Sequence, residues 1–232
     1  MSIRARTPRP REIVWSLLLL VIVLAVRHFS GVPGPSAKPD AKPRTPAVST
    51  ETAAVPTRKQ GEWSVYSGCT LVDHKNNDGD SFLVRLPNGT QREYRLYFVD
   101  TPESQFKRYR GGETNAQRIS EQARYFGKLS SEKAVAVGTE AKQFALAALK
   151  AAPFDLMTKN EAVFDSARHY AHVEITRNGQ RQRLDEMLVE RGFARIHTKG
   201  EDLPDGTSAA SHKQKLRALE ARAKQQKLGA WQ

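Results

Sequence analysis

Two short acidic segments lie on either side of a predicted β-hairpin. The first covers residues 78–81, with the sequence DGDS, and the second covers residues 95–103, with the sequence RLYFVDTPE. Asn88-Gly89 lies between two β-prone runs, and Asn-Gly in such a place is a strong hairpin signal. If Asn88-Gly89 forms a two-residue turn, Asp80 lies opposite Tyr97. The acidic groups of both segments then gather at the open end of one hairpin.

Carboxylates gathered in this way suit metal binding. Each carboxylate raises the pKa of its neighbour unless a cation neutralises them. Oxygen ligands favour a hard ion, calcium or magnesium, over zinc. Arg95 lies within the same hairpin, and a guanidinium fork matches phosphate oxygens. The pattern therefore predicts a metal site that acts on phosphate, whereas each segment taken alone is equally typical of an ordinary turn.

The order of the motifs resembles one known family. Residues 78–103 resemble the staphylococcal nuclease domain, which carries a DGD[TS] segment and then an RL…VDTPE segment at about this spacing. Residues 165–171 are similar to its YGR-x-LA segment, and residues 184–195 to its N-x-x-LV-x-x-GLA helix. Residues 220–231 are similar to its terminal AE-x-x-AK-x-x-x-LG-x-W helix. The resemblance covers about residues 62–232 in consistent order.

The resemblance implies a calcium site. Asp80 and Asp100 match the calcium carboxylates, and the backbone carbonyl of Thr101 matches a further ligand. Asp78 matches an acidic residue that supports these ligands without binding the ion itself. The ligand types suit magnesium and manganese as well, so the residues alone leave the identity of the ion open.

The resemblance also implies hydrolysis of phosphodiester bonds in DNA, RNA or both. Glu103 matches the carboxylate that activates the attacking water, and Arg95 and Arg168 match the two arginines that grip the scissile phosphate. These residue types suit the chemistry. A carboxylate within hydrogen-bond reach of a water can take its proton, and arginine stays charged at any working pH.

The sequence departs from the family pattern around the expected substrate site. Ser166 stands where the family has a tyrosine, and His197 is the only flat side chain where the family has base-stacking aromatic residues. Residues 104–138 exceed the corresponding family loop in length and are rich in Lys and Arg. This basic insertion is either a substrate clamp or a surface helix with solvated charge. The residues predicted to contact substrate are Lys107, Arg108, Arg110 and His197.

The predicted secondary structure is of the α+β class. Strands are predicted over residues 63–72, 81–86, 91–99, 154–163 and 169–176, and helices over residues 113–126, 131–152, 183–191 and 212–228. Five such strands fit an OB-type Greek-key β-barrel with flanking α-helices. Composition alone does not single out that barrel, whereas the family resemblance does.

The first sixty residues differ from the rest of the chain. Four arginines precede an apolar run over residues 13–26, which is the layout of a secretory signal or a short signal anchor. Residues 1–29 are therefore predicted to be a signal peptide or an uncleaved hydrophobic anchor helix, with the following domain outside the cytoplasm. Residues 30–61 are rich in Pro and Ala and are predicted to be a disordered linker. Residues 62–232 are predicted to be the nuclease-like domain, either membrane-anchored or secreted after cleavage.

Charge and cysteine content limit the remaining alternatives. The 232-residue chain carries a net charge of +12. Residues 1–60 hold 10 of the 37 Lys and Arg and 3 of the 25 Asp and Glu, so 27 and 22 remain and the domain has a net charge of +5. This favours a polyanionic partner such as nucleic acid.

The single cysteine, Cys69, excludes an intramolecular disulfide. The alternative to an enzyme is a non-catalytic, tethered module that binds nucleic acid or protein, and the domain is expected to be a monomer.

Overall fold

The computed structural model describes residues 55–164 and 166–232. The predictions for residues 1–29, and for residues 30–54 of the linker, lie outside the described residues. No helix among the described residues has both the length and the apolar character needed to cross a membrane.

The described residues form nine strands and four α-helices. The strands are β1 (Arg58–Gln60), β2 (Trp63–Leu71), β3 (Ser81–Arg85), β4 (Gln91–Leu96), β5 (Val99–Asp100), β6 (Phe154–Thr158), β7 (His169–Arg177), β8 (Gln180–Arg183) and β9 (Arg195–Ile196). The helices are α1 (Ala116–Tyr125), α2 (Ser131–Lys150), α3 (Leu184–Glu190) and α4 (Ala209–Gln225), followed by a 3-10 turn at Gly229–Trp231.

Five of the strands close into a barrel. Neighbouring strands follow the order β2-β3-β4-β7-β6, and β6 pairs with β2 to complete the ring. The β4–β7 pair is parallel, and the other four pairs are antiparallel. This is the Greek-key order of an OB-type barrel, so the predicted α+β barrel with flanking helices is confirmed. Strand β1 lies before Glu62, where the domain was predicted to begin, and pairs with β2.

The barrel interior is filled by large apolar side chains. Phe82, Tyr94, Phe154 and Leu156 are buried almost completely. One face of helix α2 buries small residues, Ala141 and others, against this core. Because alanine has a short side chain, the helix axis lies close to the barrel, and its N-terminal half reaches the candidate site.

The β3–β4 hairpin has a register one residue away from the prediction. Ser81 pairs with Arg95 and Arg85 pairs with Gln91, so Asp80 does not lie opposite Tyr97. Instead, the amide of Leu96 donates to the carbonyl of Asp80 over 2.9 Å. The prediction of a two-residue turn was wrong because the loop has three residues, ending at Gly89 with φ of +90°. A glycine in the left-handed region is typical of three-residue hairpin loops.

The strand predicted over residues 91–99 is broken before its end. Strand β4 stops at Leu96, and Phe98 has φ of +65°, which is rare for a bulky residue. Backbone bonds hold Phe98 in place, since its amide donates to the carbonyl of Lys199 over 2.8 Å and its carbonyl accepts from the amide of His197 over 2.8 Å. The bend starts the separate strand β5, whose second residue is Asp100.

Candidate active site

Two aspartates approach each other at the end of the hairpin, with an arginine between them. Asp80 precedes β3, and Asp100 ends β5. Nη2 of Arg95 lies 3.3 Å from Oδ2 of Asp80 and 2.5 Å from Oδ1 of Asp100. All three residues are buried. The geometry therefore brings together the two carboxylates that the sequence predicted as metal ligands.

Asp100 is surrounded by positive charge. Nη2 of Arg118 donates to its Oδ1 over 2.5 Å, Nε of Arg195 donates to its Oδ2 over 2.8 Å, and Nε2 of Gln122 donates to the same Oδ2 over 2.9 Å. Burial opposes the ionisation of Asp100, but Arg118, Arg95 and Arg195 outweigh that effect and lower its pKa. Asp100 therefore stays ionised throughout the physiological range.

Glu103, the predicted base, is held by three donors. Nε of Arg118 donates to its Oε1 over 2.7 Å. Nδ2 of Asn115 and Nζ of Lys107 donate to its Oε2 over 3.1 Å and 3.3 Å. Burial raises the pKa of Glu103, but Lys107 and Arg118 more than offset this, so its pKa lies below the usual value. The carboxylate is ionised and fixed in direction.

Helix α2 positions the backbone of Glu103. Gly138 packs directly on the carbonyl groups of Pro102 and Glu103, and a Cβ at this position would lie 2.5 Å from the carbonyl oxygen of Pro102. Real Cβ atoms do not approach backbone oxygen this closely, so only glycine allows the helix to come so near. The amide of Glu103 also donates to Oε1 of Gln122 over 3.0 Å.

Helix α1 supplies residues that the sequence did not single out for the site. Asn115, Arg118 and Gln122 recur at spacings of three and four, so they share one face of the helix. That face lies on Asp100 and Glu103. In the sequence, the spacing of these polar residues within the basic insertion could have indicated that they share one side of a helix. Arg195, the fourth residue missed, comes from β9, which pairs with β5.

The side chain of Arg168 is oriented by a serine. Its backbone amide and Nε contact Oγ of Ser166 at 3.3 Å and 3.4 Å. Ser166 in turn donates to the carbonyl of Val163 over 2.6 Å. Nη1 of Arg168 reaches Oγ of Ser81 at 3.4 Å, and Nη1 of Arg95 reaches the same oxygen at 3.4 Å. The two predicted phosphate-binding arginines thus converge on one hydroxyl.

Of the four residues predicted to contact substrate, two lie at the site and two lie on an exposed loop. Lys107 contacts Glu103, as described, and His197 lines a pocket with Arg95 and Arg118. Arg108 and Arg110 are exposed on a loop, which is closed by a β-bridge between Arg108 and Thr114. Among the described residues, neither arginine lines one of the cavities at the site. Their contact with substrate stays a prediction.

Asp78 lies beside Asp80 and accepts a hydrogen bond from the backbone. Its Oδ1 accepts from the amide of Gly79 over 3.0 Å. Burial, followed by repulsion from Asp80, raises the pKa of Asp78 to about 6. Gly79 allows the close packing of Thr101, because a Cβ there would lie 2.8 Å from Oγ1 of Thr101.

Many of these side chains line one cavity, the central hollow, which has a volume of about 100 Å³. The residues that line it are Asn76, Asp78, Asp80, Ser81, Arg95, Thr101, Glu103, Lys107, Arg118 and Arg168. Every side chain that the sequence predicted for metal binding or catalysis, apart from the deeply buried Asp100, borders this one space.

The residues fit a hard divalent ion. A single nitrogen of Arg95 bridges Asp80 and Asp100, so one small cationic group can bind both carboxylates. Asp78 adds a further carboxyl group beside them, and its pKa is raised by burial first and by repulsion from Asp80 second. Within residues 55–164 and 166–232, no three His, Cys, Asp or Glu side chains form a metal-binding group. The candidate ligand set is two carboxylates and the Thr101 carbonyl, which accepts from Nε2 of Gln122 over 2.9 Å. Oxygen donors of this kind suit calcium or magnesium.

The comparison with protein families agrees with this geometry. The family model described as staphylococcal nuclease homologue matches residues 93–232, which is more than half of the chain. The chain belongs to the staphylococcal nuclease homologue family. The match begins at Glu93, so it does not include Asp78 and Asp80 of this staphylococcal nuclease homologue, and their roles stay predictions. No curated protein matches the chain.

Proposed function

We propose that this staphylococcal nuclease homologue hydrolyses phosphodiester bonds of DNA, RNA or both. The reaction uses a divalent cation, which we expect to be calcium. The observation that carries the proposal is the convergence of Arg95 and Arg168 on Oγ of Ser81. Two guanidinium groups that meet at one oxygen atom match the bidentate recognition of a phosphate group. Glu103 and Asp80 border the same hollow, and Asp100 lies behind it in contact with Arg95.

The roles of the side chains follow from their positions. Arg95 and Arg168 bind the phosphoryl oxygens and stabilise the charge that develops on them in the transition state. Glu103 accepts a proton from the attacking water, and its low pKa keeps it ionised and ready at neutral pH. Ser166 holds the direction of the Arg168 guanidinium.

Asp80, Asp100 and the Thr101 carbonyl would hold the metal ion. When bound, the ion supplies positive charge that polarises a phosphoryl oxygen and lowers the pKa of a water molecule. Asp78 supports the site as an additional negative charge beside Asp80. Arg95 contacts both aspartates, so its guanidinium lies between the groups that would hold the ion and the phosphate that it would bind.

The test is cleavage of single- and double-stranded DNA and RNA by the purified full-length chain. Calcium, magnesium, manganese and a chelator are compared. We expect calcium to support cleavage and Glu103→Gln to lower kcat by about 10²–10⁴-fold. Arg168→Ala is expected to lose activity as well, and Arg217→Ala, an exposed arginine outside the hollow, serves as the matched control. A folded wild type that cleaves no substrate with any of the metals contradicts the proposal.

The second candidate is a module that binds nucleic acid without cleaving it. The observation that favours it is the position of Arg118, which contacts both Asp100 and Glu103 and competes with a metal ion for Asp100. A binding module retains affinity for an oligonucleotide when the chelator is present and shows no turnover. Fluorescence anisotropy in the same series of metals separates the two candidates.

We also propose that the domain is exported and works outside the cytoplasm, either anchored or after cleavage of residues 1–29. The support is the basic and apolar pattern of the first thirty residues. The test is digestion of a C-terminal epitope tag by protease added to intact cells. Protection of the tag until the cells are lysed contradicts export.

A further inference from the structure

Two larger cavities share lining residues with the central hollow. One, the insertion groove, has a volume of about 320 Å³ and is defined by Lys75, Asn76, Lys107, Tyr109 and Lys142. The other, the His197 pocket, has about 590 Å³ and is defined by Phe164, Tyr170, His197, Thr198 and Lys199.

Arg168 lines all three spaces. The insertion groove shares Asp78, Ser81 and Lys107 with the central hollow. The His197 pocket shares Arg95 and Arg118 with it. The hollow therefore adjoins both cavities, and a phosphate held there lies next to each of them.

The insertion groove carries positive charge that the protein does not use internally. Within the described part of the chain, Lys75 and Lys142 form no ion pair and donate no hydrogen bond from their side chains. Lys75 comes from the loop before β3 and Lys142 from helix α2, so two separate elements direct ammonium groups to one groove. Such groups suit phosphates of a strand that continues beyond the hollow.

Each cavity also offers an aromatic ring to solvent. Tyr109 in the insertion groove is 50% exposed, and Phe164 in the His197 pocket is 85% exposed. Large rings this exposed gain little from the fold itself, whereas a nucleic acid base can stack on them. Bases are free to stack on protein side chains only where the nucleic acid is single-stranded. The rings therefore favour a single strand over a duplex.

We propose that the insertion groove is a second binding subsite, which holds a single-stranded nucleic acid on the side of the scissile phosphate away from the His197 pocket. The inference rests on the proposed nuclease function, and it adds that the basic insertion acts as part of the substrate site. A strand bound on both sides of the cleaved bond is cut internally. Lys75 and Lys142 contact its phosphates, and Tyr109 stacks on a base.

The test compares a long and a short substrate with the full-length chain and the double variant Lys75→Gln/Lys142→Gln. The long substrate is an oligodeoxynucleotide of about 12 nucleotides. The short substrate is bis(p-nitrophenyl) phosphate, which has a single phosphate and therefore cannot place a second one against Lys75 and Lys142. The matched control is Lys213→Gln/Arg217→Gln, which removes the same charge from exposed positions of α4 that line none of the three spaces.

We expect the groove variant to lower kcat/KM for the oligonucleotide by about tenfold or more and to leave that for the small diester within about twofold. The slope of log kcat/KM against log salt concentration should fall by about 1.4, because each phosphate contact in a single strand contributes about 0.7. Tyr109→Ala should weaken the oligonucleotide reaction about fivefold or more, since stacking is worth about 1–3 kcal/mol per base.

Equal losses on both substrates, or no loss beyond that of the control, overturn the subsite. If the wild type cleaves neither substrate, the proposed function fails separately, and the groove is tested by fluorescence anisotropy with the labelled oligonucleotide. An unchanged Kd in the groove variant then overturns the subsite, and a Kd about tenfold weaker than that of the control supports it.

Discussion

Arg118 links the candidate base Glu103 to the candidate metal ligand Asp100. Its Nε donates to Glu103 over 2.7 Å, and its Nη2 donates to Asp100 over 2.5 Å. The side chain comes from helix α1 and is 41% exposed, so it can leave without unfolding the core. A guanidinium keeps its charge at every working pH. Arg118 therefore affects both the basicity of Glu103 and the affinity of Asp100 for a cation.

Replacing Arg118 with methionine should change the metal and pH dependence of the reaction. Arg118→Met removes a positive group that competes for Asp100, so the calcium concentration for half-maximal activity should fall about tenfold. Arg118 also lowers the pKa of Glu103. Its loss raises that pKa, and the acidic limb of the profile of kcat/KM against pH should move to higher pH.

The matched control for Arg118→Met is Arg124→Met, an exposed arginine of the same helix that lines no part of the central hollow. Calcium titration and pH–rate profiles of both variants provide the comparison. An increased calcium requirement in Arg118→Met, together with an unmoved acidic limb, contradicts the electrostatic role.

The contact between Gly138 and the backbone of Glu103 gives a second prediction. In an exposed helix position, Gly→Ala normally stabilises by about 0.5–1 kcal/mol. At Gly138 the added Cβ collides with the carbonyl groups of Pro102 and Glu103, so the segment that carries the base must shift. A displacement of about 1 Å lowers the rate about 10²-fold. We therefore expect Gly138→Ala to reduce kcat by roughly 10–100-fold.

The control for Gly138→Ala is Ala136→Gly on the exposed face of the same helix. Thermal unfolding followed by circular dichroism, together with steady-state kinetics, measures both variants. Ala136→Gly should lower Tm and leave kcat unchanged. If Gly138→Ala raises Tm and retains full kcat, the close packing does not position Glu103.

The β-prone runs predicted the main strands, and the family resemblance predicted that they form an OB-type barrel. The acidic centre was predicted because two short motifs flank one hairpin. It could not predict the hairpin register, since Asn88-Gly89 fits loops of two and of three residues, and the choice depends on packing. Strands β5 and β9 have two residues each, too few for any periodicity. Arg118 belongs to the basic insertion, for which a substrate clamp and a surface helix with solvated charge were both open. Its role becomes visible only through its tertiary contacts with Asp100 and Glu103.

Asp78 gives a prediction on stability without metal. Its pKa is about 6 in the folded protein, against 3.8 for an aspartate in an unfolded chain. A raised carboxyl pKa means that folding is favoured while Asp78 is protonated, and that stability is lost as pH rises through about 6. In the presence of a chelator, Asp78→Asn should be more stable than the wild type by about 2 kcal/mol at pH 8, and the difference should shrink toward pH 4.

Urea unfolding at several pH values measures this difference. Asp73→Asn is the control, because the Asp73 side chain is 82% exposed. A stability difference between Asp78→Asn and the wild type that does not change with pH would show that the Asp78 carboxylate is not penalised by its surroundings.

His172 should make the fold sensitive to acid. Its ring packs against Trp63, Tyr97 and Phe98, with centroids 5.2 Å, 5.0 Å and 5.9 Å away, and its Nε2 has no partner among the described residues. Burial lowers the pKa of His172 to about 4, whereas the unfolded chain takes up the proton near pH 6.5. The wild type therefore loses stability as pH falls from 6.5 toward 4, by about 2 kcal/mol at pH 5 from this residue alone.

His172→Phe keeps an aromatic ring in the same packing and removes the titrating group. Urea unfolding at pH 7 and pH 5 should show that the variant retains about 2 kcal/mol more of its stability at pH 5 than the wild type does. His74→Phe, at a side chain that is 33% exposed, is the matched control and should lose stability as the wild type does. If His172→Phe and the wild type lose stability in parallel between the two pH values, then His172 is protonated within the fold, and the acid sensitivity arises from other buried groups such as the Asp185–His212 pair.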